Sequence, residues 1–264
     1  MSRLSISAAW DESKAVLAHE GRLLVAVALA LLVLPGVVLT LISPSRDTLP
    51  QSLPGLLAML AILLITIAGQ LAVIRLAMGP HLTVGEAIAH GFRRVPSYIA
   101  SILLWMVPGM LVGGALYAVV LTGSVTAKGL AALAILLIIA FYLIIAVRLI
   151  LSSAVASAEQ AGPVAIIRRS FALTRGHWFK LFGFLVLLVV AAGVLLMAVS
   201  AISGLAGKMM FGSLDPMTPG LLVVALAGQL VSAMVSIVFF VMLARIYVQL
   251  TNDGAAASVP SSAD

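Results

Sequence analysis

Apolar positions in this chain fall into six long runs, about 23–42, 55–78, 98–122, 129–151, 181–206 and 220–250, and the charge lies almost entirely between them. At 1.5 Å per residue, about 20 helical residues cover the ~30 Å hydrocarbon core of a bilayer, so each run predicts a membrane-spanning helix. Pro35 interrupts the first run and predicts a kink that neighbouring helices can cover. Gly109 and Gly113 in the third make a GxxxG step, which either lets another helix approach closely or is an ordinary pair of small residues. Gln70 and Gln229 are polar within the second and sixth runs, where an amide can join helices or line a cavity; the first role is favoured.

The polar joints carry a second, helical period. In 163–178, Val164, Ile167, Phe171 and Trp178 recur at helical spacing, while Arg168 and Arg175 share another face with Arg169 beside them. Pro163 suits the first turn of such a helix, where its missing N–H has no partner to lose. This pattern predicts a basic amphipathic helix whose apolar side sinks to the acyl boundary while its arginines meet lipid phosphates. The alternative is a plain loop joining two spans. Within 79–97, Val84, Ile88, Phe92 and Val95 form an apolar stripe against a polar stripe of Glu86, His90 and Arg94. Residues 1–22 bring Ile6, Trp10 and Leu17 near one face, with Ser5 or Ser7 available as an N-cap.

The expected fold is therefore an all-α integral membrane protein of six transmembrane helices in three hairpins, each preceded by a cytoplasmic interfacial amphipathic helix. Hairpin repeats are expected at about 1–78, 79–151 and 159–250, forming one polytopic domain over 1–250 with a disordered cytoplasmic tail at 251–264. An arginine closes each repeat, at Arg75, Arg148 and Arg245. Each lies near the inner end of its span, where a long basic side chain can snorkel to the headgroups. The sharper reading is that the three face inward and gather an anionic headgroup or the carbonyls at interfacial helix ends, as guanidinium forks can.

Charge sets the orientation. Of the 15 basic residues, all but Arg46, Lys128 and Lys208 fall on one side of the six-span arrangement. Short basic loops stay inside, so both termini are expected in the cytoplasm, with the spans in a bacterial inner membrane. The first run is expected to be a retained span, because mixed charge precedes it and no small-residue cleavage pattern follows.

Composition agrees with a lipid-facing surface: 63% of residues are hydrophobic and 9% charged, against about 25% charged in soluble domains. A net charge of +6 raises nucleic acid as a partner, but the basic residues sit in short clusters beside apolar runs, the pattern that suits anionic headgroups. There is no cysteine, which excludes disulfides, thiolate metal sites and cysteine nucleophiles. The four histidines are dispersed, and no GxSxG, P-loop or Rossmann fingerprint appears, so no catalytic residue, metal or cofactor is expected. No Asp or Glu lies in any of the six runs, which argues against a proton- or sodium-coupled carrier.

The stretch FYLIIAVRLILSSAVASAEQAGPVAIIRRSFALTRGHWFKLFGF resembles bacterial integral membrane proteins of the glycerophosphoryl diester phosphodiesterase membrane-domain family, and is similar to YciC-type inner-membrane proteins. The carriers are Arg148, Glu159, Gly162, Ala165, the RRSF at 168–171, residues 173–176 and Trp178. In that family the phosphodiesterase is a separate soluble barrel fused to some members. The resemblance thus implies a helical membrane domain and brings no catalytic residue onto this sequence. The function expected is a non-catalytic membrane protein engaging anionic phospholipid or a membrane partner through Arg168, Arg169, Arg175 and Trp178, with Arg75, Arg148 and Arg245 as further contacts. The alternative is a transporter or lipid translocator with its pathway between the three hairpins.

Overall fold

The structure, a computed structural model, describes residues 4–42, 53–79, 82–212 and 218–257. Helix α1 (Ile6–Ala28) passes through a π-helical turn (Leu29–Val33) into α2 (Leu34–Ile42). Then come α3 (Leu53–Met78), α4 (Val84–Thr122), α5 (Val125–Arg148), α6 (Ser152–Ala158), α7 (Pro163–Thr174), α8 (Trp178–Phe211) and α9 (Pro219–Ala257). Six helical stretches are long and apolar enough to cross a membrane, one for each apolar run. The links at 43–52 and 213–217, which hold Arg46, Ser45 and Ser213, lie outside the described residues, as do His81 and Arg3.

Local chemistry explains where the helices bend and break. Pro35 has no N–H to give the Leu31 carbonyl, and its ring would crowd that oxygen in a regular α-helix. The chain widens there instead, and the Leu34 N–H reaches back five residues to the Leu29 carbonyl. Gly69 of α3 presses against this wide turn, since a Cβ on it would lie 2.6 Å from the Leu31 Cβ. At the start of α4, the Thr83 hydroxyl accepts the Glu86 N–H at 3.3 Å and the Thr83 N–H donates to Glu86 Oε2 at 2.8 Å, a reciprocal cap.

Two of the three expected interfacial helices are not separate elements. The N-terminal segment runs straight into the first span, and 84–97 runs into the third through Pro96 without a break. Neither segment contains a residue that turns the backbone out of the helix. At 175–177 one does: Gly176 takes φ +84, a left-handed conformation that suits glycine, so α7 stops at Thr174 and Trp178 opens α8. The expected helix over 163–178 is shorter by that turn. The 251–264 tail also differs, because α9 continues to Ala257, and 258–264 lies outside the described residues.

Packing is concentrated at one end of the molecule. The main core joins Ala9 and the last turns of α1, the last halves of α3 and α9, the first turns of α4, the middle of α6, and Ile166 and Leu181 of α7 and α8. At the other end α4, α5 and α8 expose apolar side chains such as Leu111, Leu137 and Met197. The α3–α4 interface, which crosses the expected boundary between repeats, is as extensive as that between α8 and α9. The missing side chain of Gly91 allows that closeness, since a Cβ there would run into the Ala68 oxygen.

Candidate functional site

The packed end is built around the short helix α6. Its last carbonyls have no partner within the helix, and α4 supplies donors for two of them. His90 bonds the Ser157 carbonyl through Nε2 at 2.8 Å, and Arg94 Nε donates to the Ala156 carbonyl at 2.9 Å. One helical turn separates His90 from Arg94, so one face of α4 caps α6, with Arg94 supplying the positive charge that a helix C-terminus favours. The Ser157 hydroxyl in turn donates to the Leu71 carbonyl of α3 at 2.8 Å, and the Tyr98 hydroxyl lies among the polar side chains of Gln70, Ser152 and Ser153. Gln70 of α3 thereby faces α4.

Beside this cap lies a cavity of about 220 Å³ lined by Arg75, Leu82, Glu86, Ala89, His90 and Arg93. Arg75 enters from the end of α3 and the other charged groups from the first turns of α4. Burial, and then the positive charges of Arg75, Arg94 and Arg93, hold the His90 imidazole below its ordinary value of 6.5, against the pull of the Ser157 carbonyl. Glu86 is acidified by the backbone and side chain of Thr83. Neither Arg75 nor Arg93 has a hydrogen-bond or ion-pair acceptor among the described residues.

Helix α7 is fastened by polar groups on its inner face. Ile166, Ser170 and Thr174 are buried, and the hydroxyls of Ser170 and Thr174 donate to the Arg148 carbonyl at 2.8 and 3.2 Å. Val164, by contrast, is 57% exposed, and Arg168, Arg169 and Arg175 also face outward. Arg169 Nε and the Tyr247 hydroxyl both donate to Glu159 Oε1, at 3.0 and 2.8 Å, which pins the α6–α7 link to α9. Trp178 stacks on Phe182 and donates through Nε1 to the Ile144 carbonyl at 3.4 Å, joining α8 to α5.

The three closing arginines occupy different surroundings. Arg75 lines the cavity; Arg148 lies with Cζ 5.9 Å from the centre of the Phe171 ring; Arg245 buries its Nε with no acceptor among the described residues. No acceptor among the described residues is shared by any two of them. At Arg148 it is the backbone carbonyl that binds α7. Gln229 packs over Gly36 of α2, where a Cβ would collide with its amide. Gly109 holds the Tyr142 ring, whose hydroxyl donates to the Trp105 carbonyl at 3.0 Å, whereas Gly113 meets no neighbour. A second, almost wholly apolar hollow of about 470 Å³ lies between α4 and α5 there. The sequence pattern marked the Glu86–His90–Arg94 stripe but not its acceptors, because α6 shows no period of its own. Arg93 carried no distinguishing signal at all.

Six apolar helices closed by a basic, polar-capped end define a multi-pass helical membrane protein. A family model for a domain of unknown function, DUF7847, matches residues 4–250, and the chain belongs to that family. No curated protein and no solved structure matches the chain.

Proposed function

We propose that this is a non-catalytic bacterial inner-membrane protein that engages anionic phospholipid at its cytoplasmic, basic end, with a membrane protein as a further partner. The observation that carries this reading is the set of guanidinium groups without an acceptor among the described residues at the packed end: Arg75 and Arg93 at the cavity, and Arg168 and Arg175 outside α7. Arginines at that depth pair with phosphate oxygens of the inner leaflet. In this reading α7 lies in the headgroup layer, the three hairpins cross the membrane, and both termini are cytoplasmic. The likeness of 141–184 to phosphodiesterase membrane domains, whose chemistry belongs to a separate barrel, fits a lipid-facing role without catalysis. A translocation pathway is less well supported: Gln70 sits beside the Tyr98 hydroxyl, Gln229 packs on Gly36, and neither lines the cavity at Arg75 or the apolar hollow between α4 and α5.

Native mass spectrometry after extraction in mild detergent tests the proposal. Retained phosphatidylglycerol or cardiolipin in excess of phosphatidylethanolamine is the expected result. Retention that merely mirrors the composition of the membrane would overturn it.

A further inference from the structure

The cavity at the end of α3 carries a more specific inference, which rests on the lipid reading and names its site. We infer that Arg75 and Arg93 bind one phosphate group in this cavity, with lipid phosphate and free inorganic phosphate as the two sources of that chemistry.

Two guanidinium groups on different helices line one small hollow of about 220 Å³, and neither is neutralised by a protein acceptor among the described residues. The single carboxylate in the lining does not do so. Glu86 Oε2 is taken by the Thr83 N–H at 2.8 Å and the Thr83 hydroxyl at 2.9 Å, in the cap that starts α4. Arg94, next along the helix, is committed through Nε to the Ala156 carbonyl. His90 spends Nε2 on the Ser157 carbonyl, and burial holds its imidazole below its ordinary value, which disfavours a further positive charge there. What remains is a pocket with two unspent cationic forks, the donor set that matches the oxygens of a phosphate. Arg75 lies at the end of α3, the depth at which lipid phosphates meet a spanning helix.

His90 is also a built-in reporter. Arg75 from α3, Arg93, Arg94 and Glu86 from α4, and the Ser157 carbonyl from α6 are the charged and polar groups around it. A phosphate held by Arg75 and Arg93 opposes the positive field, so the imidazole must become easier to protonate.

The test is a proton NMR titration of His90, assigned with His90→Gln, in the full-length protein in phosphatidylcholine nanodiscs. Inorganic phosphate, or phosphatidylglycerol included in the disc, should raise the His90 midpoint by about one pH unit. Chloride at the same ionic strength should not. A response to phosphatidylglycerol supports both the site and the lipid reading. A response to inorganic phosphate alone supports the site and contradicts the lipid reading. No response to either, or an equal response to chloride, overturns the site, while lipid retention by mass spectrometry still tests the broader reading. Arg75→Gln and Arg93→Gln should each weaken the phosphate response by at least about tenfold. Because Arg93 is exposed, its variant keeps the test open if Arg75→Gln fails to fold. An undiminished response in Arg93→Gln would also overturn the site.

Discussion

Gly91→Ala should loosen the seam on which the basic end depends. The added methyl would meet the Ala68 carbonyl oxygen, with the Ala68 carbon at 3.3 Å and the Ala72 nitrogen at 3.4 Å, and none of these backbone atoms can turn aside. Helix α4 must therefore move away from α3. Overpacking of this kind costs about 1–3 kcal/mol. Alanine recovers about 0.5–1 kcal/mol through its better helix propensity, leaving a net loss of about 0–2.5 kcal/mol. Gly113→Ala is the control, because nothing lies within 4 Å of the new methyl and only the propensity gain applies. The contrast between the two variants is then about 1–3 kcal/mol, since propensity cancels between two helical sites. Heating detergent-solubilised protein at a fixed rate and measuring the monodisperse fraction by size exclusion reads that contrast as several degrees. If Gly91→Ala survives heating as well as Gly113→Ala does, the close approach of α3 and α4 at Ala68 is wrong.

Ser170→Ala combined with Thr174→Val removes both donors to the Arg148 carbonyl and should cost about 1 kcal/mol per bond, seen as faster hydrogen exchange across 163–174; unchanged exchange would mean that apolar contacts alone hold α7. Because the folded protein holds His90 below 6.5, the unfolded chain binds more protons between the lowered value and 6.5, so stability should rise with pH across that window and the slope should vanish in His90→Gln. An equal slope in that variant would place the titrating group elsewhere. Cysteine at Gly123, in the link between α4 and α5, should react with an impermeant thiol reagent on intact cells, and cysteine at Arg168 only after permeabilisation. The reverse pattern would invert the orientation.

The helices were legible in the sequence wherever one physical requirement dominates. A run of about 20 apolar residues leaves few alternatives to a span, and all six expected spans fall within apolar helices. Helix ends were harder to place. Polar stripes before the first and third spans look interfacial by period, yet period does not say whether a helix stops; at 175–177 the stop comes from one glycine at positive φ. The site was half legible. Arg75 stands out as a charge near the end of a span, and His90 and Arg94 as one stripe. Their meeting around α6 depends on a seven-residue helix of Ser, Ala and Val that has no amphipathic signal. Repetition suggested grouping Arg75 with Arg148 and Arg245, whereas the packing of α3 on α4 sets Arg75 beside Arg93.

Selection of anionic lipid at the basic end is tested most directly by fluorescence quenching at Trp178. Trp10→Phe and Trp105→Phe leave this single tryptophan, at the start of α8 three residues after Arg175. Reconstituted with brominated lipid at equal mole fraction, phosphatidylglycerol should quench Trp178 more than phosphatidylcholine. The difference should shrink at high salt and in the Arg168→Gln, Arg175→Gln variant. Equal quenching by the two lipids at low salt would contradict the claim that these arginines hold anionic headgroups.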